Sequence, residues 1–431
     1  MNVQNKASIQ ILLIANAVSQ FAQGISMIAI PWYFINNLKA SSTYNLVFFV
    51  VTAATFIWAQ YAGTLIDKYN RKHIFQGLCL VGLGVLSFAG FYGWYLGEMP
   101  LYLLIIVFSF TVLNYNIHYP ALYALAQELS DSDSYVKVNS LLEVQGQSTN
   151  MISGAAAALL IGGVSTSIVG VDIIVEKWGL EKIFLMDAST YLIASVLLIF
   201  LKNKASDKLS RDTGSILKRL KKGWQFLGQN KAILNYGLFT YFVFVCVIVH
   251  VFYVMHLYIS DYLQADGSAL AIAQVFHTAG ALTAGIFLQK ALKRWSTINV
   301  SLVLMGITLL SFAGMASTKN IWFFAPVCLL VGFANSGIRI ARVTAIFKMV
   351  PKETIGRVTS VFQSANIFLR LILIGIFYLP YFVSNPEQAY WVYVVFIGLA
   401  MLPILLAYSK IATVFGKSEK PSVLPGFSRI K

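Results

Sequence analysis

Charge is what this sequence lacks most. Only 11% of its 431 residues are Asp, Glu, Lys or Arg, against 58% hydrophobic ones, and the mean hydropathy is +0.72. A water-soluble domain carries about a quarter of its residues charged to solvate its surface, so a soluble globular fold is excluded. Cysteine is nearly absent as well. The three present, Cys79, Cys246 and Cys328, all fall inside apolar runs, which excludes a disulfide framework and a thiolate metal cluster. No Walker sequence and no grouping of nucleophile, base and oxyanion donors can be read, so neither direct ATP drive nor an enzymatic reaction is indicated, and no cofactor or metal is called for. Acids are the scarcer charge, 17 against 32 Lys and Arg, for a net charge of +15.

What is present is a series of apolar runs of about 20 residues, each long enough to cross a hydrocarbon core of about 30 Å as a helix. Twelve can be drawn, at about 9–35, 43–65, 74–96, 101–126, 139–165, 184–201, 233–259, 269–289, 298–315, 321–347, 357–383 and 391–409. The expected fold is an all-α polytopic membrane protein of twelve transmembrane helices. The first run has no small-residue cleavage site and outlasts a signal-peptide core, so it reads as a retained helix. With the termini on one side, 25 of the 32 Lys and Arg residues fall at that end and 4 at the other, while Arg339, Arg342 and Arg370 lie inside runs. The positive-inside rule therefore places both termini in the cytoplasm of a cell whose inner (plasma) membrane the chain spans. The net charge is thus a topology signal and calls for no nucleic acid.

The order of elements repeats. "GTLIDKYNRKHI" (63–74) lies between the second and third runs, and its spacing returns in "GIFLQKALKR" at an offset of 222; "KVNSLLE" (137–143) returns as "RVTSVFQ" (357–363) at 220. Two six-helix bundles are expected, residues 1–201 and 233–409, joined by a linker at 202–232 and followed by a basic tail at 410–431. Within the linker Ile216, Leu217, Leu220, Trp224 and Leu227 share one helical face and Lys218, Arg219, Lys221 and Lys222 lie mostly off it, the pattern of an interfacial amphipathic helix. Parallel halves around a midplane cavity are the plan of a rocking secondary transporter.

"GTLIDKYNRK" resembles the first-half signature of the major facilitator superfamily, with Asn70 where that family usually has glycine, a replacement suited to a left-handed turn. "IHYPALYALAQEL" (117–129), "VNSLLEVQGQSTNMISGAAAALL" (138–160) and "IGRVTSVFQS" (355–364) resemble the branch that contains macrolide-efflux and enterobactin-export proteins. The resemblance implies alternating access of a monomer to a drug-like solute, siderophore or other carboxylate-bearing anion, with protons as coupling ion and efflux as direction; uptake of an organic anion, or a non-transporting receptor on the same scaffold, are the alternatives. Two features of proton-linked exporters are missing. Thr111 stands where they often carry an arginine in the fourth helix, and "ISGAAAALL" has Gly154 but no proline in the fifth.

Individual residues carry these expectations. Gly63, Asp67, Lys68, Arg71 and Lys72 form the signature loop, and Asp67 near the N-terminus of the eleventh helix, around Thr354–Arg357, would latch the cytoplasmic side. Gln20 and Gln23 share a face of the first helix with Asn16; Asn116 sits with Asn114 and His118 in the fourth, and Gln147 and Asn150 with Gln145 in the fifth. As a set they suggest a wet pathway. Glu143 and His250 are the expected proton-coupling groups, with Asp187, His256 and His277 as further ionisable candidates inside runs; for Asp187, near the start of its run, snorkelling to the interface is the plainer reading. Arg339 and Arg342 are three apart, and an arginine facing lipid costs about 2.5 kcal/mol or more. Together with Arg370 they are expected to face a cavity and bind an anionic solute.

Overall fold

The computed structural model describes residues 3–130, 135–168, 171–202 and 216–419, with Gly63, Asp67, Lys68 and Glu143 among those described in backbone alone. In a medium without water every backbone N–H and C=O must pair within its own segment, so the apolar runs become helices. The first half is α1 (Val3–Trp32), α2 (Ser41–Lys68), α3 (Arg71–Leu96), α4 (Leu101–Leu129), α5 (Tyr135–Gly162) and α6 (Leu180–Phe200). A short helix α7 (Ile216–Gln229) precedes α8 (Lys231–Val249), which runs on through a π-turn, the single turn α9 (Met255–Leu257) and a second π-turn. The second half continues with α10 (Gly267–Arg294), α11 (Thr297–Ala316), α12 (Ile321–Met349), α13 (Lys352–Phe377), the short α14 (Pro380–Ser384) and α15 (Pro386–Leu406), and α16 (Tyr408–Glu419) follows.

Eleven of these helices are long and apolar enough to span a membrane among the described residues. The twelfth span is α5, which is as long but carries Gln145, Gln147 and Asn150 along its middle. Between α5 and α6, β1 (Val164–Ile168) and β2 (Val171–Val175) pair antiparallel, a hairpin that the apolar pattern gave no reason to expect. The tail from 410 is likewise helical at its start. Ile411 of α16 is fully buried, and the basic stretch 420–431 lies outside the described residues. On α7, Leu227 is buried in a cluster with Val358, Val361 and Phe362, and a Cβ on Gly223 would press on the backbone carbonyl of Arg357. The linker helix is docked on the second half, while its Trp224 stays half exposed.

The repeat is visible in backbone detail, at a register one turn from the one the sequence spacing suggests. Tyr69 and Trp295 end α2 and α10 in the same extended conformation, and Asn70 and Ser296 cap α3 and α11 with their side chains, at an offset of 226. The basic residues drift within the loop, whereas the caps mark the chain geometry. Asn70 has φ −62° and accepts from the Lys72 N–H at 2.9 Å, so it serves as an N-cap and not as a left-handed turn residue. A second correspondence lies at the other end. α1 and α8 both finish in a π-turn, Tyr33–Asn37 and Tyr258–Tyr262, followed by a left-handed residue, Lys39 (φ 50°) and Gln264 (φ 52°). Non-glycine residues rarely adopt this conformation, and these are the two that do so among the described residues.

The halves are fastened together at this end, opposite the termini. Adjacent residues of α2 grip two elements of the other half: the Tyr44 hydroxyl donates to the Phe252 carbonyl (2.7 Å) and the Asn45 amide to the Ile374 carbonyl (3.2 Å). The two π-turns meet through Ser260, which donates to Asn36 Oδ1 at 3.2 Å. Tyr44 is packed by the rings of Phe34, Phe108 and Tyr253, with centroids 5.4, 5.2 and 6.1 Å away. Tyr44→Phe combined with Asn45→Ala removes two such bonds, each contributing about 1 kcal/mol net, and should shift the open-to-closed ratio at this end by tenfold or more. Spin labels placed across α2 and α13 would read this as a longer distance population. An unchanged distribution would show that the ring packing alone keeps the end closed.

Candidate functional site

Midway along the bundle lies a cavity of about 200 Å³. Asn16 and Gln20 of α1 form one wall, and Gly146, Gln147 and Asn150 of α5 another. α4 supplies Tyr115, Tyr119 and Tyr123, and Arg339 reaches in from α12. The tyrosines recur every fourth residue, so they stack on one helical face; the Tyr115 and Tyr119 rings are 4.4 Å apart. Arg339 is the charged side chain of the wall among the described residues.

A hydrogen-bond network sets the amides in place. Asn16 Nδ2 donates to Gln145 Oε1 (2.6 Å) and to Gln20 Oε1 (3.2 Å), and Gln145 Nε2 donates to Thr149 Oγ1 (3.0 Å). Gln20 then donates to the Tyr119 hydroxyl at 2.6 Å. Behind them His118 is buried against Phe75, with its Nε2 2.9 Å from Asn16 Oδ1. Because that oxygen is an acceptor, Nε2 carries the proton and donates. Asn16, Gln20 and Gln145 are thus each held by at least one partner. The result is a fixed polar wall facing a tyrosine ladder and one guanidinium, suited to a solute with a ring or planar face, polar edges and a negative group.

Of the expected binding residues, Gln20, Gln147, Asn150 and Arg339 line this cavity, and four others do not. Gln23 is buried deeper along α1, where its Nε2 has no hydrogen-bond partner among the described residues. The Asn116 amide donates to the Val112 carbonyl of its own helix (2.8 Å), which turns it away. Arg342 is buried against α8: it donates to the Thr240 carbonyl (3.0 Å), and its guanidinium carbon lies 3.6 Å from the Tyr241 ring centroid. Its cost in an apolar helix is met by a carbonyl and an aromatic face, so its role is to pack α12 on α8. Arg370 is half-buried in α13, within electrostatic reach of Tyr115, with its Nε unpartnered among the described residues. It flanks the cavity wall without lining it.

The coupling and latch residues fare differently. His250 is fully buried in a nest of Phe312, Phe324 and Tyr390, with Nδ1 3.2 Å from the Tyr390 hydroxyl, remote from the cavity wall. The side chain of Glu143 and those of the latch residues Asp67 and Lys68, with Gly63, lie outside the described residues. Arg71 donates to the Ala124 carbonyl (2.9 Å) and pairs with Glu128 (3.4 Å), and Lys72 caps the end of α6 through the Leu201 carbonyl (2.7 Å). Arg71 and Lys72 therefore brace the first half internally. Arg357 contributes its backbone to the α7 contact.

Asp187 corrects an expectation. It does not snorkel: it is 1% exposed, and Ser26 of α1 donates to its Oδ2 at 2.6 Å. The helix begins at Leu180, four residues before the apolar run, which puts Asp187 about two turns inside. The tyrosine ladder was missed altogether, although its spacing of four was readable.

Comparison with known proteins agrees with this architecture. The model of the Major Facilitator Superfamily matches residues 12–373. Macrolide efflux protein A of Streptococcus pyogenes is 24% identical over 389 residues, 87% of this chain and 89% of that protein. Among solved structures, a bacterial homologue of the human lysosomal transporter Spinster, inward-facing and unoccupied, superposes with a TM-score of 0.70 at 12% identity, covering 98% of this chain and 100% of the other. An inward-facing bacterial homologue of the iron transporter ferroportin gives 0.68 at 15% identity, covering 98% and 100%. The fold, the repeated halves and a family match over most of the chain converge: this multi-pass membrane protein belongs to the Major Facilitator Superfamily, a transporter and not an enzyme.

Proposed function

We propose that this chain is a secondary active transporter that exports a small organic solute with an anionic group by alternating access, in exchange for protons. The observation that carries the reading is the midplane cavity, whose wall combines Arg339 with the tyrosines of α4 and the amides of α1 and α5. A guanidinium offers parallel N–H donors to a carboxylate or a similar anion, and rings give a sequence of flat contacts. Arg370 adds positive potential behind Tyr115. With both termini in the cytoplasm, as the Lys and Arg distribution argues, the fastened end faces outward and loading occurs from inside. Glu143 in α5 and the Asp67 latch against Thr354–Arg357 belong to the same reading. So do residues 1–201 and 233–409 as the two rocking bodies, acting as a monomer in the inner membrane. Similarity to a macrolide efflux protein supports export and a drug-like or siderophore-like solute.

The test is a binding panel on purified protein in nanodiscs: a catecholate siderophore, an aromatic carboxylate, an uncharged ring compound and a macrolide. Binding of the anionic members, with accumulation in inside-out vesicles driven by an imposed proton gradient, is expected. Binding restricted to the macrolide and the uncharged compound would overturn the anion assignment. Accumulation in right-side-out vesicles alone would make the protein an uptake permease.

A further inference from the structure

We propose that Asp187 is a proton-binding carboxyl of the first half, and that its proton sets the position of α1; the coupling role rests on the secondary-transport reading above. Asp187 is 1% exposed about two turns inside a membrane helix, and its Oδ1 has no hydrogen-bond partner among the described residues. Among the described residues its surroundings contain no compensating cation. α1 presents Ser26, which donates to Oδ2; its own helix presents Tyr191 one turn on; α4 presents Asn114, which donates to the Tyr191 hydroxyl at 2.9 Å; α3 presents Cys79 beside that tyrosine. The Asn114 Oδ1 is also a buried acceptor without a partner among the described residues. A carboxylate with one donor and an orphan oxygen is poorly compensated in such a place, whereas a protonated carboxyl carries no charge to compensate. The geometry therefore fits the protonated form in this state.

The carboxyl is placed to act on more than its own helix. α1 holds the cavity residues Asn16 and Gln20, then Ser26 about two turns further on, and then Asn36 at the fastened end, bonded to Ser260 of the other half. One helix thus joins the solute wall, the carboxyl and the closed end. Loss of the proton breaks the carboxyl O–H bond, transfers the proton to water and leaves a carboxylate that needs further donors. Water drawn between α1 and α6 supplies them, and the resulting displacement of α1 disturbs both the amide wall and the Asn36–Ser260 contact. Reprotonation from the other side restores the dry interface. Solute loading and the closed end are linked through one titrating group.

The experiment uses the intact protein in nanodiscs and no solute. Infrared difference spectra between mildly acidic and alkaline buffer should show loss of a protonated-carboxyl stretch that is missing in Asp187→Asn. In parallel, Ile35→Cys at the fastened end is labelled with a membrane-impermeant maleimide, the three native cysteines being buried. Labelling, normalised at each pH to the rate of a free thiol because maleimide reacts with the thiolate, should rise several-fold with pH in the otherwise native chain and stay flat when Asp187→Asn is added. Absence of an Asp187-dependent band would remove the proton site. A band with labelling that tracks pH equally in both backgrounds would leave a carboxyl uncoupled from α1 and overturn the proposal. Should Asp187→Asn not fold, Ser26→Ala, which keeps the carboxyl and removes its donor, must move the band; an unmoved band would show that the carboxyl signal comes from elsewhere. Because neither readout needs transport, a failure here is separable from a failure of the transporter reading, which only the flux assay can show.

Discussion

Gly280→Leu should leave almost no folded protein in the membrane, whereas Gly285→Leu on the same helix should be tolerated. α10 and α12 form the most extensive helix pair of the bundle, and they cross at reciprocal glycines. A Cβ on Gly280 would fall inside the Leu329 carbonyl oxygen, and one on Gly332 inside the His277 carbonyl oxygen. Both obstructions are backbone, so no rotamer change relieves them. Lipid tails are as apolar as side chains, so close approach and dispersion hold membrane helices together, and small residues make that approach possible. Inserting bulk into a packed contact costs about 1–3 kcal/mol where neighbours can yield and more where they cannot. At Gly280 the helices would have to separate, losing contacts along the whole crossing. Gly285 has open space where a Cβ would go. Membrane yield, size-exclusion profile and thermal unfolding of the two variants check this. A monodisperse Gly280→Leu protein melting with the wild type would show that the crossing is looser than described.

The large features were legible because each follows from a constraint that acts locally along the chain. Hydrocarbon thickness sets the length of an apolar run, and translocation sorts Lys and Arg, so the spans and the basic end could be read residue by residue. The repeat was readable as a pattern, but loop composition placed its register at 222, while the caps at Asn70 and Ser296 place it at 226. The π-turns before Lys39 and Gln264 were not legible, since "YFINNLKA" and "YISDYLQA" share few residues and the geometry lives in the backbone. Side-chain direction was the other limit. Arg339 and Arg342 share a helical side by spacing, yet one lines the cavity and the other packs on Tyr241, because the neighbour on that side changes from an open space to α8. Asp187 was misread for a different reason: the boundary of its helix was drawn from hydropathy, and Leu180–Ile183, interrupted by Glu181 and Lys182, did not look like membrane.

Arg339→Ala should lower affinity for an anionic probe by about tenfold to a hundredfold, and Arg342→Ala should instead lower stability with affinity nearly kept. A hydrogen bond to a charged group contributes about 1.5–3 kcal/mol, and each 1.4 kcal/mol is tenfold in a dissociation constant. Arg339 stands in the cavity wall with Tyr115, Tyr119 and Tyr123, where a bound carboxylate would be shielded from bulk water. Replacing it removes the positive charge from that part of the wall. Arg342 lies outside that wall: it donates to the Thr240 carbonyl and stacks on the Tyr241 ring. Alanine there removes the cation that bridges α12 to the Thr240 carbonyl and the Tyr241 ring and leaves a hollow between α8 and α12, which lowers the melting temperature and not the affinity. Arg339→Lys separates charge from shape: a point charge without the planar fork should recover part of the affinity for a simple carboxylate and less for a bidentate ligand. Equilibrium binding of the aromatic carboxylate, together with thermal unfolding of the same samples, distinguishes the outcomes. If Arg339→Ala binds the anion as the wild type does and Arg342→Ala does not, the roles of the two arginines are reversed and the recognition site lies toward α8.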